Sequence, residues 1–193
     1  MANVTTIWRQ PAAHRVMPWK NGLGETLEVA RSPDGLSLDT FDWRVSVAPV
    51  VADGAFSVFP GIERTIAVIE GAGMQLTLAD GQAHTLRPGS PFAYDGGTAV
   101  EGRLIGGPVR DFNVMVRRGR CTGTLLLVTG PLAMAGGGAT TVAYVLSGDW
   151  QAQADAETGR LEPGASLTTS ATMRQLRPAA PTSRIAVAIL RTV

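Results

Sequence analysis

Three groups of residues in this chain have side chains suited to holding a small molecule. Arg44 and Arg64 each lie beside apolar residues of strand-like segments. A guanidinium is planar, and its fork of N–H donors matches a carboxylate with two hydrogen bonds. Asp111, Asn113 and Met115 follow one another at intervals of two. In an extended strand that spacing puts them on one face, polar at one end and apolar at the other. Trp19, Lys20 and Asn21 combine an aromatic wall, a cation and an amide that both donates and accepts. Phe56 and Phe59 read as core or as the wall of a pocket. Small-molecule sites are mostly apolar with a few convergent polar groups, which is the mixture these residues supply. Each group also has a structural reading. Arg44 and Arg64 point either into a pocket or into solvent-side ion pairs. Trp19 plugs the end of a barrel with Asn21 in a turn, and Asp111 pairs with Arg110, Arg117 or a neighbouring arginine.

Other chemistries lack their residues. The two histidines, His14 and His84, form no His-x-His pair. A catalytic first-row metal wants imidazoles or carboxylates converging from several strands, so no metal ligand and no cofactor is expected. There is no Gly-x-Ser-x-Gly, and Gly22-Leu23-Gly24 lacks the Lys-Ser/Thr ending of a phosphate loop. The formal net charge is +1, and the only dense basic cluster is Arg117, Arg118 and Arg120. Nucleic-acid binding draws on phosphate neutralisation by a basic surface, so no nucleic-acid partner is expected and the cluster reads as a solvated turn. Binding without catalysis is the favoured class. Its rival is a metal-free isomerase or lyase with Glu28, Glu63 or Asp111 as the base.

The elements that must position these residues are strands. Trp43, Val45 and Val47 alternate with Arg44 and Ser46, and Phe112, Val114 and Val116 alternate with Asn113 and Met115. Met74 to Leu78 alternates before the turn Ala79-Asp80-Gly81, a hairpin signal. Ile66 to Ile69, Leu125 to Val128, Val142 to Leu146 and Ile185 to Leu190 are apolar runs of strand length, and Met134 to Thr141 reads as a Gly-rich loop. The fold class is therefore all-β. An internal repeat sharpens it. An apolar strand ends at Gly71, and after a polar hairpin comes Leu86-Arg87-Pro88-Gly89. A second strand ends at Gly148, followed by Leu161-Glu162-Pro163-Gly164. The offset is 77 residues at the first glycine and 75 at the proline. Proline fixes φ and glycine takes the positive φ that follows, which makes a tight corner. Two such units predict a duplicated β fold, with residues 1–119 and 120–193 as the halves.

Three stretches carry a resemblance to a known family. They are Met17-Pro18-Trp19-Lys20-Asn21-Gly22-Leu23-Gly24-Glu25-Thr26, then Phe41-Asp42-Trp43-Arg44-Val45-Ser46 with Gly54 to Arg64, then Gly107 to Gly119. Together they resemble the HutD/Ves family over essentially the whole chain. The resemblance implies a bicupin, two cupin-like β-barrels in one chain. It also implies association with histidine utilisation and binding of a small anionic metabolite such as formylglutamate, which moderates that pathway. Leu23 departs from the family's usual run of three glycines, and the expectation is a reshaped loop or a narrowed pocket. Met1 to Gln10 has no basic segment followed by an apolar stretch, and the run Ile185 to Leu190 is far short of the roughly 20 residues of a membrane helix. With a single cysteine, Cys121, the expectation is a cytoplasmic protein with no membrane partner. A homodimer through sheet edges is a general expectation of such folds.

Overall fold

The computed structural model describes residues 5–18, 24–34, 40–134 and 138–193. Among these the secondary structure is almost wholly β, with one 3-10 turn at Pro11–Ala13 and no α-helix. The strands are β1 (Thr6–Arg9), β2 (Arg15–Pro18), β3 (Glu25–Ser32), β4 (Trp43–Val50), β5 (Gly54–Ala55), β6 (Ile62–Glu70), β7 (Met74–Leu78), β8 (Ala83–Leu86) and β9 (Phe92–Asp95). They continue as β10 (Val100–Leu104), β11 (Val109–Arg117), β12 (Cys121–Val128), β13 (Ala139–Ser147), β14 (Trp150–Ala154), β15 (Glu157–Leu161), β16 (Ser166–Thr169), β17 (Met173–Pro178) and β18 (Arg184–Thr192). The apolar run at Ile66 to Ile69 is only the buried part of the longer β6. The Gly-rich segment gives way to strand at Ala139, earlier than its composition suggests, because Ala139 to Thr141 pair with Ile189 to Arg191.

The chain divides into two compact units, Arg15–Thr122 and Met1–His14 with Gly123–Val193. The second half thus takes in the N-terminal strand, which a linear reading assigns to the first. Thr6, Ile7, Trp8 and Arg9 pair with Thr169, Thr168, Leu167 and Ser166, which gives both strands their backbone partners. Side chains fasten the same strand. The Thr6 and Thr169 hydroxyls meet at 2.9 Å, and the Trp8 indole donates to Glu157 at 3.2 Å.

The repeat is visible in the topology of each unit. The Arg15–Thr122 unit has a six-stranded sheet, β2-β3-β4-β11-β6-β9, and a four-stranded sheet, β5-β10-β7-β8. The other unit has β1-β16-β13-β18-β12 and β15-β14-β17. Reading β4-β11-β6-β9 against β12-β18-β13-β16, and β10-β7-β8 against β17-β14-β15, the strand orders correspond one for one. The Leu-x-Pro-Gly corners correspond as well. Gly89 has φ +93° and donates to the Val68 carbonyl, while Gly164 has φ +83° and donates to the Val145 carbonyl.

The two interiors differ in chemistry. In the unit with β13 and β18 the space between sheets is filled by Val145, Trp150, Leu161, Leu167, Met173, Leu176, Ile185 and Val187, with Ala143 among them. In the unit with β6 and β11 a smaller apolar cluster, Ile66, Val68, Met74, Leu76, Leu86, Tyr94, Val100 and Val109, occupies only part of it. The remainder of that face carries charge.

His14 is part of the fabric of the unit that contains β13 and β18 rather than a metal ligand. The carbonyl of Pro11 can only accept, so Nδ1 at 3.1 Å carries the hydrogen, and Nε2 accepts from the Ser166 hydroxyl at 2.8 Å. Burial lowers its pKa from the ordinary 6.5, aided by Arg9 and opposed by the Pro11 hydrogen bond. A lowered folded-state pKa means the neutral form stabilises the fold. That contribution is present above the unfolded value and is lost as pH falls through the lower folded one. Thermal midpoints of the wild type and His14→Asn, measured from pH 7.5 to 5, are expected to converge as pH falls. Parallel curves would refute the assignment.

Candidate functional site

The charged face is built by strand alternation and register. In β4, Trp43, Val45 and Val47 turn one way, and Arg44, Ser46 and Ala48 turn the other. In β11, Asp111, Asn113 and Met115 share a face. Antiparallel pairing sets Arg44 opposite Met115, Ser46 opposite Asn113 and Ala48 opposite Asp111. On the other side of β11, Met115 faces Arg64 and Asn113 faces Ile66, and Arg64 in turn faces Tyr94 of β9. Ile66, Val68 and Tyr94 belong to the cluster formed with the second sheet, so this is the inward face of the unit.

A β-bulge extends the row. Glu28 and Arg31 are three apart, which in a regular strand puts them on opposite faces. In β3 the register shifts between Glu28 and Ala30, so Glu28 pairs with Ser46 and Arg31 pairs with Arg44. The extra residue resets the alternation and brings both side chains inward. The result is a cross-strand row Arg31–Arg44–Met115–Arg64–Tyr94, with Glu28, Asn113 and Asp111 alongside it.

Every member of this set is buried. Glu28, Arg44 and Arg64 are each 5% exposed, Asp111 1% and Asn113 3%. Glu28 Oε2 accepts from Arg44 Nε at 2.8 Å and lies 3.8 Å from an Arg31 terminal nitrogen, while Oε1 is 3.4 Å from half-exposed Arg15. Arg64 is held differently. Its Nε and one terminal nitrogen both donate to Asn113 Oδ1, at 2.9 and 2.6 Å, and Asn113 Nδ2 donates to Asp111 Oδ1 at 2.8 Å. No carboxylate among the described residues comes within 4.0 Å of Arg64. Phe56 lies against its guanidinium, 4.9 Å from the ring centroid, and Tyr94 at 5.7 Å. Gly102 makes room for that ring, since a Cβ there would sit 2.5 Å from Phe56 Cε2.

Burial without full pairing perturbs the titration of these groups. Burial lowers the Arg44 pKa, Glu28 raises it, and Arg31 and Arg64 lower it further. Burial pushes the Asp111 carboxyl up to about 6, against the pull of Arg64, Asn113 and the Ala48 backbone. Tyr94 is raised by burial, and Asp111 adds to that.

The structure thus brings together Arg44, Arg64, Asp111, Asn113 and Met115. Phe59 is peripheral, packing beside Met115 on Phe41 and Ile62. Trp19, Lys20, Asn21 and Leu23 lie outside the described residues. The alternative of Asp111 pairing with Arg110 or Arg117 does not hold. Arg110 reaches Glu70 at 2.7 Å and Arg117 donates to the Phe41 carbonyl, because Arg110 alternates to the other face and Arg117 lies six residues further along the strand. The basic turn is tied locally, Arg118 to Asp95 and Arg120 to Asp42. Phe56, read from sequence as core or pocket wall, lies against Arg64, and Glu28, read only as a candidate base, joins the face with Arg31 and Tyr94, which the sequence does not single out. The bulge hides the meeting of Glu28 and Arg31, and cross-strand register hides Tyr94. Among the described residues no three His, Cys, Asp or Glu gather as a metal-holding group. A face with three guanidiniums also repels a cation, so its donors do not fit a metal centre.

Comparison with known proteins bears on the family and the fold. The HutD family model matches residues 11–187. An uncharacterized 21.2 kDa protein in the hutC 3' region of Pseudomonas putida is 47% identical over 100 residues, or 51% of this chain and 52% of that one, so the match spans about half of that relative. Protein Ves of Citrobacter koseri is 37% identical over 143 residues, 71% of this chain and 72% of the relative. The structure of HutD from Pseudomonas fluorescens SBW25 superposes with a TM-score of 0.80 at 31% identity, covering 98% of this chain and all of that one. More distant likenesses, to Ylba of E. coli (TM-score 0.69, 11% identity) and to an oxalate decarboxylase of Lactobacillus farciminis (0.67, 6%), support a cupin fold and speak to the fold alone. With its family model spanning residues 11–187, the chain belongs to the HutD family.

Proposed function

We propose that this chain is a cytoplasmic bicupin that binds a small carboxylate, and that its inward charged face in the Arg15–Thr122 unit is the binding site. One observation carries the reading. Among the described residues three buried guanidiniums, Arg31, Arg44 and Arg64, share that face with two buried carboxyls, Glu28 and Asp111, and Arg64 has an amide rather than a carboxylate as its hydrogen-bond partner. A buried charge is costly unless paired, so a cationic excess is stabilised by an anion from solution. Arg44 and Arg64 supply the charge, Asn113 orients Arg64, Asp111 fixes Asn113, and Met115 with Phe59 forms an apolar end. Trp19, Lys20 and Asn21 are assigned to the same site by sequence. The corresponding interior of the other unit is apolar, which fits a supporting role. The HutD name, and the relative beside hutC, suggest a metabolite of histidine utilisation as the ligand, formylglutamate being the acid the family resemblance implies, and moderation of that pathway as the role.

Thermal unfolding against formylglutamate, glutamate and urocanate tests this. A ligand at 100 times its Kd stabilises by about 2.7 kcal/mol, or roughly 5–10 °C in a chain of this size. The expected result is a shift with one acid that Arg64→Ala and Arg44→Ala abolish. No shift with any acid, or one that survives both substitutions, would remove the reading. A second reading rests on Asp111, whose carboxyl near 6 is poised as a general base for a metal-free isomerase or lyase. Conversion of the bound acid, followed by NMR, would favour it over binding alone. Glu63 is a poor base for that site, since it is exposed and alternates to the opposite face from Arg64.

A further inference from the structure

The binding reading accounts for the cations, but one buried donor beside them has no assignment. Tyr94 stands directly across from Arg64 in the pairing of β6 and β9, so the two side chains share the inward face. Its side chain is 8% exposed, and its hydroxyl oxygen is buried with no hydrogen-bond partner of ordinary geometry among the described residues. Arg64 lies beside it. A guanidinium only donates, so any contact it makes with the phenol oxygen still leaves the phenol hydrogen without an acceptor.

The nearby acceptors are engaged elsewhere. Asn113 Oδ1 takes both hydrogen bonds from Arg64, and Asp111 Oδ1 takes one from Asn113. Buried hydroxyls are nearly always paired, and an exception calls for an explanation. The duplicated fold supplies a comparison. Tyr94 faces Arg64 as Thr169 faces Thr141 in the other unit. There the Thr169 hydroxyl meets Thr6 at 2.9 Å and accepts from the Ala171 backbone at 3.0 Å. The same place in the sheet is satisfied from within in one unit and not in the other.

We infer that Tyr94 is a ligand-binding donor, one that gives its hydroxyl hydrogen to an oxygen of the carboxylate held by Arg64. The inference rests on the binding reading and adds a selectivity to it. The preferred ligand is an oxyanion with two oxygens spaced to span an arginine and a phenol on neighbouring strands, as a carboxylate is. A phenol is protonated at neutral pH, as a donor must be, and burial moves its pKa further up.

The test is Tyr94→Phe, which removes one oxygen and keeps the ring beside Arg64. Isothermal titration with formylglutamate, glutamate and urocanate is compared with the melting midpoint of the unliganded protein. A hydrogen bond to a charged group is expected to be worth about tenfold or more in affinity. Tyr94→Phe should therefore weaken binding by about that factor. The unliganded midpoint should hold or rise, because an unpaired buried hydroxyl has been removed. Equal affinity in the two proteins would overturn the inference and leave the binding reading intact. A lower unliganded midpoint would also overturn it, by showing that the hydroxyl serves the fold. Absence of binding to the wild type by all three acids would overturn both.

Discussion

Glu28→Gln is expected to destabilise the unliganded protein by about 3–5 kcal/mol, the usual result of leaving a buried charge without its partner. Glu28 is the acceptor for Arg44 Nε at 2.8 Å, and the side chains of both are almost fully buried. It is also the acid nearest Arg31, which the β3 bulge delivers to the same place. Glutamine keeps the size and an acceptor oxygen but removes the charge, so the loss reads out electrostatics rather than packing. Arg44 would then have no carboxylate within 4.0 Å among the described residues. Denaturant unfolding measures the change as a lower midpoint at constant m-value. A paired substitution, Glu28→Gln with Arg44→Met, is expected to recover part of the loss, since an apolar replacement of both partners is often neutral. A Glu28→Gln effect below about 1 kcal/mol, the value typical of a surface ion pair, would mean that water screens the pair and that the face is open rather than enclosed.

The second large effect is a dependence of stability on pH that runs opposite to that of His14. With its folded-state pKa raised to about 6, Asp111 contributes stability below the ordinary carboxylate range, where it is protonated in both states. That contribution is lost as pH rises from about 4 to the folded value. Above about 6 both states are ionised and no further change follows. Two units at 1.36 kcal/mol each make the total about 3 kcal/mol. Asp111→Asn keeps an acceptor oxygen for Asn113 and does not titrate. The stability of the wild type minus that of Asp111→Asn should therefore fall between pH 4 and pH 6 and level off above. The difference isolates Asp111 from the other carboxylates, which titrate in both proteins. A flat difference would place Asp111 in a more polar setting than its burial and partners indicate.

How much of this site was legible beforehand depends on how local each cause is. Arg44 was placed opposite Trp43, Val45 and Val47, and Asp111, Asn113 and Met115 were placed on one face, because side chains in a strand alternate with a period of two. The repeat was legible because Pro-Gly corners are local chemistry, and Gly89 and Gly164 make the same backbone hydrogen bond in both units. Arg31 was not legible, since strict alternation separates it from Glu28 and only a bulge reunites them. Phe56 was seen as wall or core, but its place over Arg64 depends on the space left by Gly102 of another strand. A linear division groups the first strand with its sequence neighbours, whereas pairing ignores distance along the chain. Thr6 finds Thr169 across 163 residues.

By itself the sequence determined an all-β chain with a duplicated plan, membership of the HutD family, and the alternation that puts arginine, aspartate and asparagine on the faces they occupy. These follow from residue-by-residue preferences: turn chemistry, a period of two, and motifs contiguous in the chain. The tertiary structure alone decided which face looks inward and how the strands slide past one another. Register put Arg44, Met115, Arg64 and Tyr94 in one row, and a single extra residue in β3 added Arg31. Enclosure then set the energetics. An arginine in water is ordinary, whereas three of them between packed sheets, beside Glu28, Asp111 and the Tyr94 phenol, make the cationic interior on which the binding proposal rests.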